Sequence, residues 1–338
     1  MRFNLIPGRA LDSALIQRWR ELQQSNPELE SPCFAPEFTQ AAAIAREDVE
    51  IAIAEENGSV IAFFPFQRGA FNRGMPVGGI VSDYQGVISG PGFVCNPEDL
   101  LKSCGLAAYD FDRLLASQAF FAPYHKFCEP SALVDLTRGY EAYVMERQSS
   151  TGQIKQAGAV ARRLEREAGP IRFIEHSSEP RALSQVLAWK SQQYRQTGWD
   201  DLFAEPWGRT LVEVIHATRN DQFGGMLSLL YAGDELVAGH LGMRSKTIWH
   251  YWFPAYNPLF AKYSPGLILL LKMASCATQL GLNKIDLGTG LTLYKRRLMN
   301  ASVSVAEGSI ERPSLLWVER SVKRQIKSLL LGSPDSAL

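Results

Sequence analysis

Residues Lys246 to Arg297 constrain the fold most, because only a strand, a helix and a second strand in that order accommodate their chemistry. Thr247-Ile248-Trp249-His250-Tyr251-Trp252-Phe253 is β-branched and aromatic and halts at Pro254, which reads as a buried strand. After a loop from Ala255 to Tyr263, Ser264-Pro265-Gly266 supplies a capping hydroxyl, a proline for the first helical position and a residue with no side chain to obstruct a ligand. The predicted helix runs through Leu267-Ile268-Leu269-Leu270-Leu271 to a stop at Gly281. Lys284-Ile285-Asp286-Leu287 is then a short strand closing in Gly288-Thr289-Gly290. A helix start left open beside a sheet offers unpaired amides and a positive dipole end, which suits phosphate or pyrophosphate.

Upstream, Gly225 to Tyr231 and Leu236 to Met243 are predicted strands joined by the turn Ala232-Gly233-Asp234-Glu235, and both precede the aromatic strand as hairpin partners. Ile171 to Glu175 reads as an earlier strand. Pro180 to Gln196 and Pro206 to Arg219 read as helices, with Leu183, Val186 and Leu187, then Leu211, Val214 and Ile215, at helical spacing.

Strand, two helices, three antiparallel strands, helix, strand is the order of the GNAT acyltransferase superfamily, and this half of the chain resembles it. The resemblance implies that the pyrophosphate of coenzyme A sits on the helix start at Pro265. Phe260-Ala261-Lys262-Tyr263-Ser264-Pro265-Gly266-Leu267, Ile285-Asp286-Leu287-Gly288-Thr289-Gly290 and Tyr294-Lys295-Arg296-Arg297 narrow it. Together they resemble the CelD-like branch, which accompanies bacterial polysaccharide synthesis and is structurally related to the Fem-type transferases of peptidoglycan. Ser82-Asp83-Tyr84-Gln85-Gly86, Lys190-Ser191-Gln192-Gln193-Tyr194-Arg195-Gln196-Thr197-Gly198 and Asp201-Leu202-Phe203-Ala204 look like the same branch. One departure is clear: of the usual GNAT run of spaced glycines behind a basic residue or glutamine, only Gly266 remains, behind a proline.

At 338 residues the chain has room for two domains. The first half repeats the plan of the second in outline. Arg2 to Ile6 is a predicted strand, Leu11 to Gln24 and Pro36 to Arg46 are helices, and Val49 to Glu55 with Val60 to Gln67 is a hairpin. Beyond it the pattern loosens into the glycine-rich stretch Met75 to Gly92, with no proline-led helix matching Ser264-Pro265-Gly266. The expected fold class is therefore α/β (α+β), two tandem GNAT-like domains, each a mixed, mainly antiparallel sheet flanked by helices. The expected division is 1–148, a degenerate acceptor-side domain, and 149–338, the acyl-coenzyme A domain. Between them the stretch Ile154 to Ala168, with Lys155, Arg162, Arg163 and Arg166 among Glu165 and Glu167, reads as a solvated helix.

With 35 basic and 35 acidic residues the chain carries no general nucleic-acid surface. Five cysteines without CxxC or Cys/His spacing favour reduced, buried thiols in a cytoplasmic protein, with no metal site. The N-terminal residues lack the apolar core of a signal peptide, and Lys272 interrupts the most apolar helix before it reaches membrane-spanning length. Gly-x-Ser-x-Gly and Walker-type loops are absent, which removes hydrolase and NTPase readings.

Amide formation from a thioester needs an acceptor stripped of a proton, a donor to the developing oxyanion and an acid for the leaving thiolate. Three residues are candidates for this chemistry. Asp286 either orients or deprotonates the acceptor or braces the glycine turn that follows it. His240, between Gly239 and Gly242, is either a base on a central strand or a hydrogen-bonded core histidine. Tyr294 either protonates the thiolate, as the resemblance implies, or packs as a cap.

The resemblance places the cofactor against Tyr263, Ser264, Pro265, Gly266 and Leu267, with acetyl-coenzyme A or another acyl-coenzyme A as co-substrate. Asp83, Tyr84, Lys190, Tyr194, Arg195 and Lys295 are expected on the acceptor side between the halves, where the cations suit a phosphate or diphosphate. The acceptor implied is a sugar nucleotide or a polyprenyl-diphosphate-linked sugar. The basic amphipathic stretch Ser314 to Leu331 either packs on its own domain or lies peripherally on the inner membrane face.

The expectation is an acyl-coenzyme A dependent N-acyltransferase, with O-acylation as the variant. Its rivals are a Fem-type transferase using aminoacyl-tRNA and a non-catalytic scaffold in an exopolysaccharide synthesis complex.

Overall fold

The computed structural model describes residues 1–313, so the expected helix from Ser314 to Leu331 lies outside the described residues. In chain order the first elements are β1 (Arg2–Pro7), α1 (Ser13–Ser25), α2 (Pro36–Ala45), β2 (Val49–Glu56), β3 (Ser59–Arg68), β4 (Arg73–Met75) and β5 (Ile88–Ser89). Next come α3 (Pro97–Ser103), β6 (Ala108–Leu115), β7 (His125–Asp135), α4 (Tyr140–Ser150), α5 (Gln153–Ala168), β8 (Ile171–Ile174), α6 (Pro180–Thr197) and α7 (Pro206–Ala217). The last are β9 (Gly224–Ala232), β10 (Glu235–Arg244), β11 (Ile248–Tyr256), α8 (Pro265–Ala277), β12 (Lys284–Gly288), α9 (Leu293–Leu298) and β13 (Ala301–Glu311).

These elements form two compact units that interleave along the chain and do not divide at 148/149. Residues 1–25, 48–128 and 305–313 group together, and residues 26–47 and 129–304 form the other unit. The first carries the strand order β1-β2-β3-β4-β6, with β5 on β3 and the end of β13 antiparallel to β6. Its core gathers Phe64, Phe66, Leu101, Leu106, Tyr109, Phe121 and Ile310.

In the second unit the order is β7-β12-β11-β10-β9-β8, antiparallel except for β11 beside β12. The predicted succession from Ile171 to Gly290 is found as β8, α6, α7, β9, β10, β11, α8 and β12. α8 turns Ile268, Leu269, Leu270, Met273, Ala274 and Ala277 into a core with Trp249, Leu230 and Ile285. Each such aliphatic side chain contributes about 1.5–3 kcal/mol when taken from water.

Two features of this unit have no counterpart in the sequence reading. Residues 26–47 cross into it: Phe38 meets Trp252 edge-on at 6.2 Å, Asn220 donates to Glu37 at 2.7 Å, and Glu30 accepts from Thr247 and pairs with Lys284. Pro254 also does not end β11, which continues to Tyr256 with Pro254 opposite His240. The reason lies on the other edge. β12 pairs with β11 only from Ile248 to His250, so beyond that point a proline removes no bond on that side.

Candidate active site

The end of pairing between β11 and β12 is the centre of the site. The two parallel strands keep register through Ile248↔Lys284, Trp249↔Ile285 and His250↔Asp286, then separate, leaving the last six residues of β11 without β12 beside them. At the parting point His250 Nδ1 lies 3.3 Å from Asp286 Oδ2, and both side chains are completely buried. Asp286 Oδ1 accepts the Gly288 N–H at 2.8 Å. The bracing role left open in the sequence is therefore filled, and no part of Asp286 is exposed to an acceptor.

His240 is likewise fully buried, and its position comes from a bulge. β10 and β11 shift register between Leu241 and Met243, where a Cβ on Gly242 would fall 2.1 Å from the His250 carbonyl and 2.4 Å from His240 Nε2. Glycine alone leaves room for the ring. Nε2 lies 3.2 Å from the Trp252 N–H and 3.1 Å from the His250 carbonyl, so either tautomer finds a partner on the β11 backbone, and the ring stacks on Tyr251 at 4.8 Å. Burial, against the opposing effect of the His250 carbonyl, brings its pKa down to about 3. His240 is thus a neutral strut, and a direct base role does not fit its surroundings.

Above these strands the α8 start differs from the cap expected of Ser264. That residue adopts the left-handed conformation, φ 47° and ψ 51°, and its side chain caps nothing. Its carbonyl accepts from Leu267 N at 3.0 Å and Ile268 N at 3.3 Å, and a non-glycine residue held there stores about 1–3 kcal/mol of strain. Without a side-chain cap, the Gly266 amide end stays open. The Gly266 carbonyl accepts from the Tyr251 hydroxyl at 3.2 Å, and a Cβ on Gly266 would meet nothing nearer than Tyr256 at 4.0 Å. Tyr263 is buried and donates to Glu167, Pro265 is buried, and Leu267 packs against the core. Of the five expected cofactor residues, Gly266 with the Ser264 turn forms the open part.

The first unit contains a proline-led helix that the sequence reading missed. α3 also starts with a proline, Pro97, but Asn96 caps it by accepting from the Glu98 and Asp99 amides at 2.8 and 3.3 Å. Two acidic residues in its first turn make that helix start a poor anion site. The signal was legible as Asn96-Pro97-Glu98-Asp99, an ordinary capped start.

Lys190, Lys295 and Tyr294 converge on the parting strands. α6 lies tight on β10 because Gly239 has no side chain: a Cβ there would fall 2.2 Å from Val186. One turn further along α6, Lys190 bonds Gln193 at 3.1 Å and sits 5.2 Å over the Tyr194 ring. Burial first, then the positive charge of Lys295, bring the Lys190 pKa down to about 8. Lys295 donates to the Thr289 carbonyl. Burial pushes the Tyr294 phenol well above its ordinary range, and Tyr294 also raises Tyr251. It therefore holds its proton at neutral pH.

Other expected acceptor residues are engaged elsewhere. Arg195 pairs with Asp201 at 2.9 Å, and Asp201 also bonds Ser191 and the Phe203 amide, so Arg195 fastens the turn after α6. Tyr194 stacks on Phe203 at 6.0 Å. Asp83 and Tyr84 belong to the first unit, where Asp83 pairs with Arg113 at 3.4 Å and Tyr84 is buried. His250 and Tyr251 are site residues that the sequence reading passed over, because in an aromatic strand they read as packing.

Residues 153–296 match the model of the acetyltransferase (GNAT) domain. That segment is thus a GNAT acetyltransferase domain, and the protein is an acyltransferase. A search of curated proteins finds no significant match. The fold is similar to that of FemX, with a TM-score of 0.62 at 11% identity over 95% of this chain and 99% of that one. It is also similar to the C-terminal domain of a putative lysylphosphatidylglycerol synthetase from Agrobacterium fabrum, with a TM-score of 0.55 at 12% identity over 96% and 98%. A tandem GNAT protein from the clavulanic acid biosynthesis pathway matches with a TM-score of 0.51 at 9% identity over 93% and 100%. At these identities the likeness concerns the fold, which is that of tandem GNAT-like domains. Acyl-coenzyme A, the co-substrate of GNAT domains, fits the uncapped helix start and the parted strands.

Proposed function

We propose that the protein transfers an acyl group, most simply acetyl, from acyl-coenzyme A to the amine of a phosphate-bearing sugar. That sugar is a sugar nucleotide or a polyprenyl-diphosphate-linked glycan intermediate of bacterial polysaccharide synthesis, used at the cytoplasmic face of the membrane. Residues resembling the CelD-like branch support the pathway. The observation that carries the acceptor class is the meeting of Lys190 with Lys295: two cations close enough for one to depress the other gain most from an anion between them.

Bound acyl-coenzyme A supplies the thioester carbonyl. The open amide end of α8 at Gly266 holds its pyrophosphate. Lys190 and Lys295 hold the acceptor phosphate and orient its amine. As the C–N bond forms and the C–S bond breaks, Tyr294 Oη passes its proton to the departing sulfur and regains the one that the acceptor nitrogen loses, so that amide and free thiol are the products. Asp286 and His240 are positioning residues that fix the turn at Gly288 and the bulge at Gly242.

The test compares a UDP-amino sugar with its dephosphorylated amino sugar in wild type and in Lys295→Ala. Loss of one charge-assisted contact should raise KM for the phosphorylated acceptor roughly tenfold and leave the free sugar nearly unchanged. Equal losses for both acceptors, or better use of the free sugar by wild type, would sink the phosphate reading.

A further inference from the structure

A cavity whose lining holds none of the parted-strand residues opens beside α8. It has a volume of about 520 Å³ and is bounded by α4, α5 and α8. Pockets that hold small molecules span roughly 300–1,000 Å³. Its floor is aliphatic, built from Val144, Ile154, Ala157, Ala161, Ile268 and Leu271.

The rim is cationic. Lys155 and Arg162 stand seven residues apart on one face of α5, and Lys272 joins them from α8, against a single carboxylate, Glu141. Among the described residues none of these three side chains makes a hydrogen bond or ion pair. The other cations of α5 behave differently: Arg163 bonds Glu167 at 2.8 Å and Arg166 lies 3.7 Å from the same carboxylate. The solvated-helix reading thus holds for one face of α5, and the face toward the cavity keeps its charges uncompensated.

Gly158 adds an independent observation. It sits in the interior of α5, where glycine costs about 1 kcal/mol relative to alanine, and it lines the cavity between Ile154 and Arg162. No packing demands it, since an added Cβ would meet only the Arg162 guanidinium at 3.7 Å, an ordinary contact. Packing thus leaves room for a side chain at this lining position.

We propose that this cavity binds an alkyl or prenyl phosphate, its chain along the aliphatic floor and its phosphate held by Lys155, Arg162 and Lys272. Phosphate suits this rim because a guanidinium offers paired donors and two ammonium groups add charge on either side. The lining includes neither Gly266 nor the parted strands, so the proposal has coenzyme A and the amphiphile binding without competition.

Calorimetry with monomeric dodecyl phosphate on the full chain tests this, with inorganic phosphate and dodecanol as half-ligands. Dodecyl phosphate should bind at least roughly tenfold more tightly than either. The double variant Arg162→Ala with Lys272→Ala should lose roughly tenfold or more at unchanged melting temperature. Gly158→Leu should fold, since leucine favours helix, and should not bind. Saturating coenzyme A should leave the dodecyl phosphate affinity unchanged. Any of four results overturns the proposal: no binding by wild type, equal affinity for dodecanol, displacement by coenzyme A, or undiminished binding by the charge-removed double variant. Capture by anionic phospholipid vesicles without binding of the monomer would also overturn it, by making the rim a membrane contact.

Discussion

At the scale of single residues, the proposed mechanism separates groups that move protons or hold charge from groups that only hold geometry. Tyr294 belongs to the first kind. Tyr294→Phe should lower kcat by about 10²–10⁴-fold with coenzyme A affinity unchanged, because a general acid acts mainly in the transition state. Turnover equal to wild type would remove it from the acid role. Lys190 makes a pH prediction with a defined sign. With its folded pKa near 8 and its ordinary value at 10.5, the unfolded chain binds more protons between these values. Stability should therefore rise with pH across that window relative to Lys190→Met, while affinity for the phosphorylated acceptor falls as pH passes 8. In Lys295→Ala that fall should move to higher pH, which an acceptor KM profile would read. An unmoved midpoint would mean that the two cations do not share a ligand. Lys190, Lys295 and Tyr294 stood out in the sequence because charged or phenolic side chains beside a strand-and-glycine pattern are few, and their roles are those proposed above. Asp286 and His240 were legible as residues but not as roles, since only the Gly288 amide and the β10 bulge show that both are braces.

At the scale of elements, two similar helices have different ends. α8 and α3 each begin with proline, yet Asn96 closes α3 with a side-chain cap and Ser264, turned left-handed, leaves α8 open. Gly266→Val should therefore weaken coenzyme A binding with little loss of melting temperature, because the added Cβ meets only Tyr256 at 4.0 Å. Unchanged affinity in a folded variant would move the cofactor away from this helix. Gly242→Ala should do the reverse, destabilising the protein by about 1–3 kcal/mol or more through the clash with the His250 carbonyl and His240, as a thermal melt would record. The succession of strands and helices was readable from periodicity and turn residues, with small shifts such as Val212 burying in place of Val214 on α7. The parting of β11 from β12 was not, although Pro254 marks it: a proline reads as a stop until the missing neighbour is seen.

At the scale of the whole molecule, the catalytic unit recruits chain from far upstream. β7 pairs with β12, and residues 26–47 place Phe38 against Trp252 and Glu30 beside Lys284, so a fragment cut at 149 loses a sheet neighbour and a covering segment. Residues 149–338 expressed alone should fail to melt cooperatively, whereas a cooperative transition at the melting temperature of the full chain would contradict this dependence. Such long-range packing leaves no local signature, which is why the sequence reads as two successive halves and not as two interleaved units. Transfer from acyl-coenzyme A is read most directly from the fate of the donor. Full-length protein incubated with acetyl-coenzyme A and a UDP-amino sugar should release free coenzyme thiol in equal amount to N-acetylated sugar nucleotide. Consumption of aminoacyl-tRNA with no thiol release would contradict it.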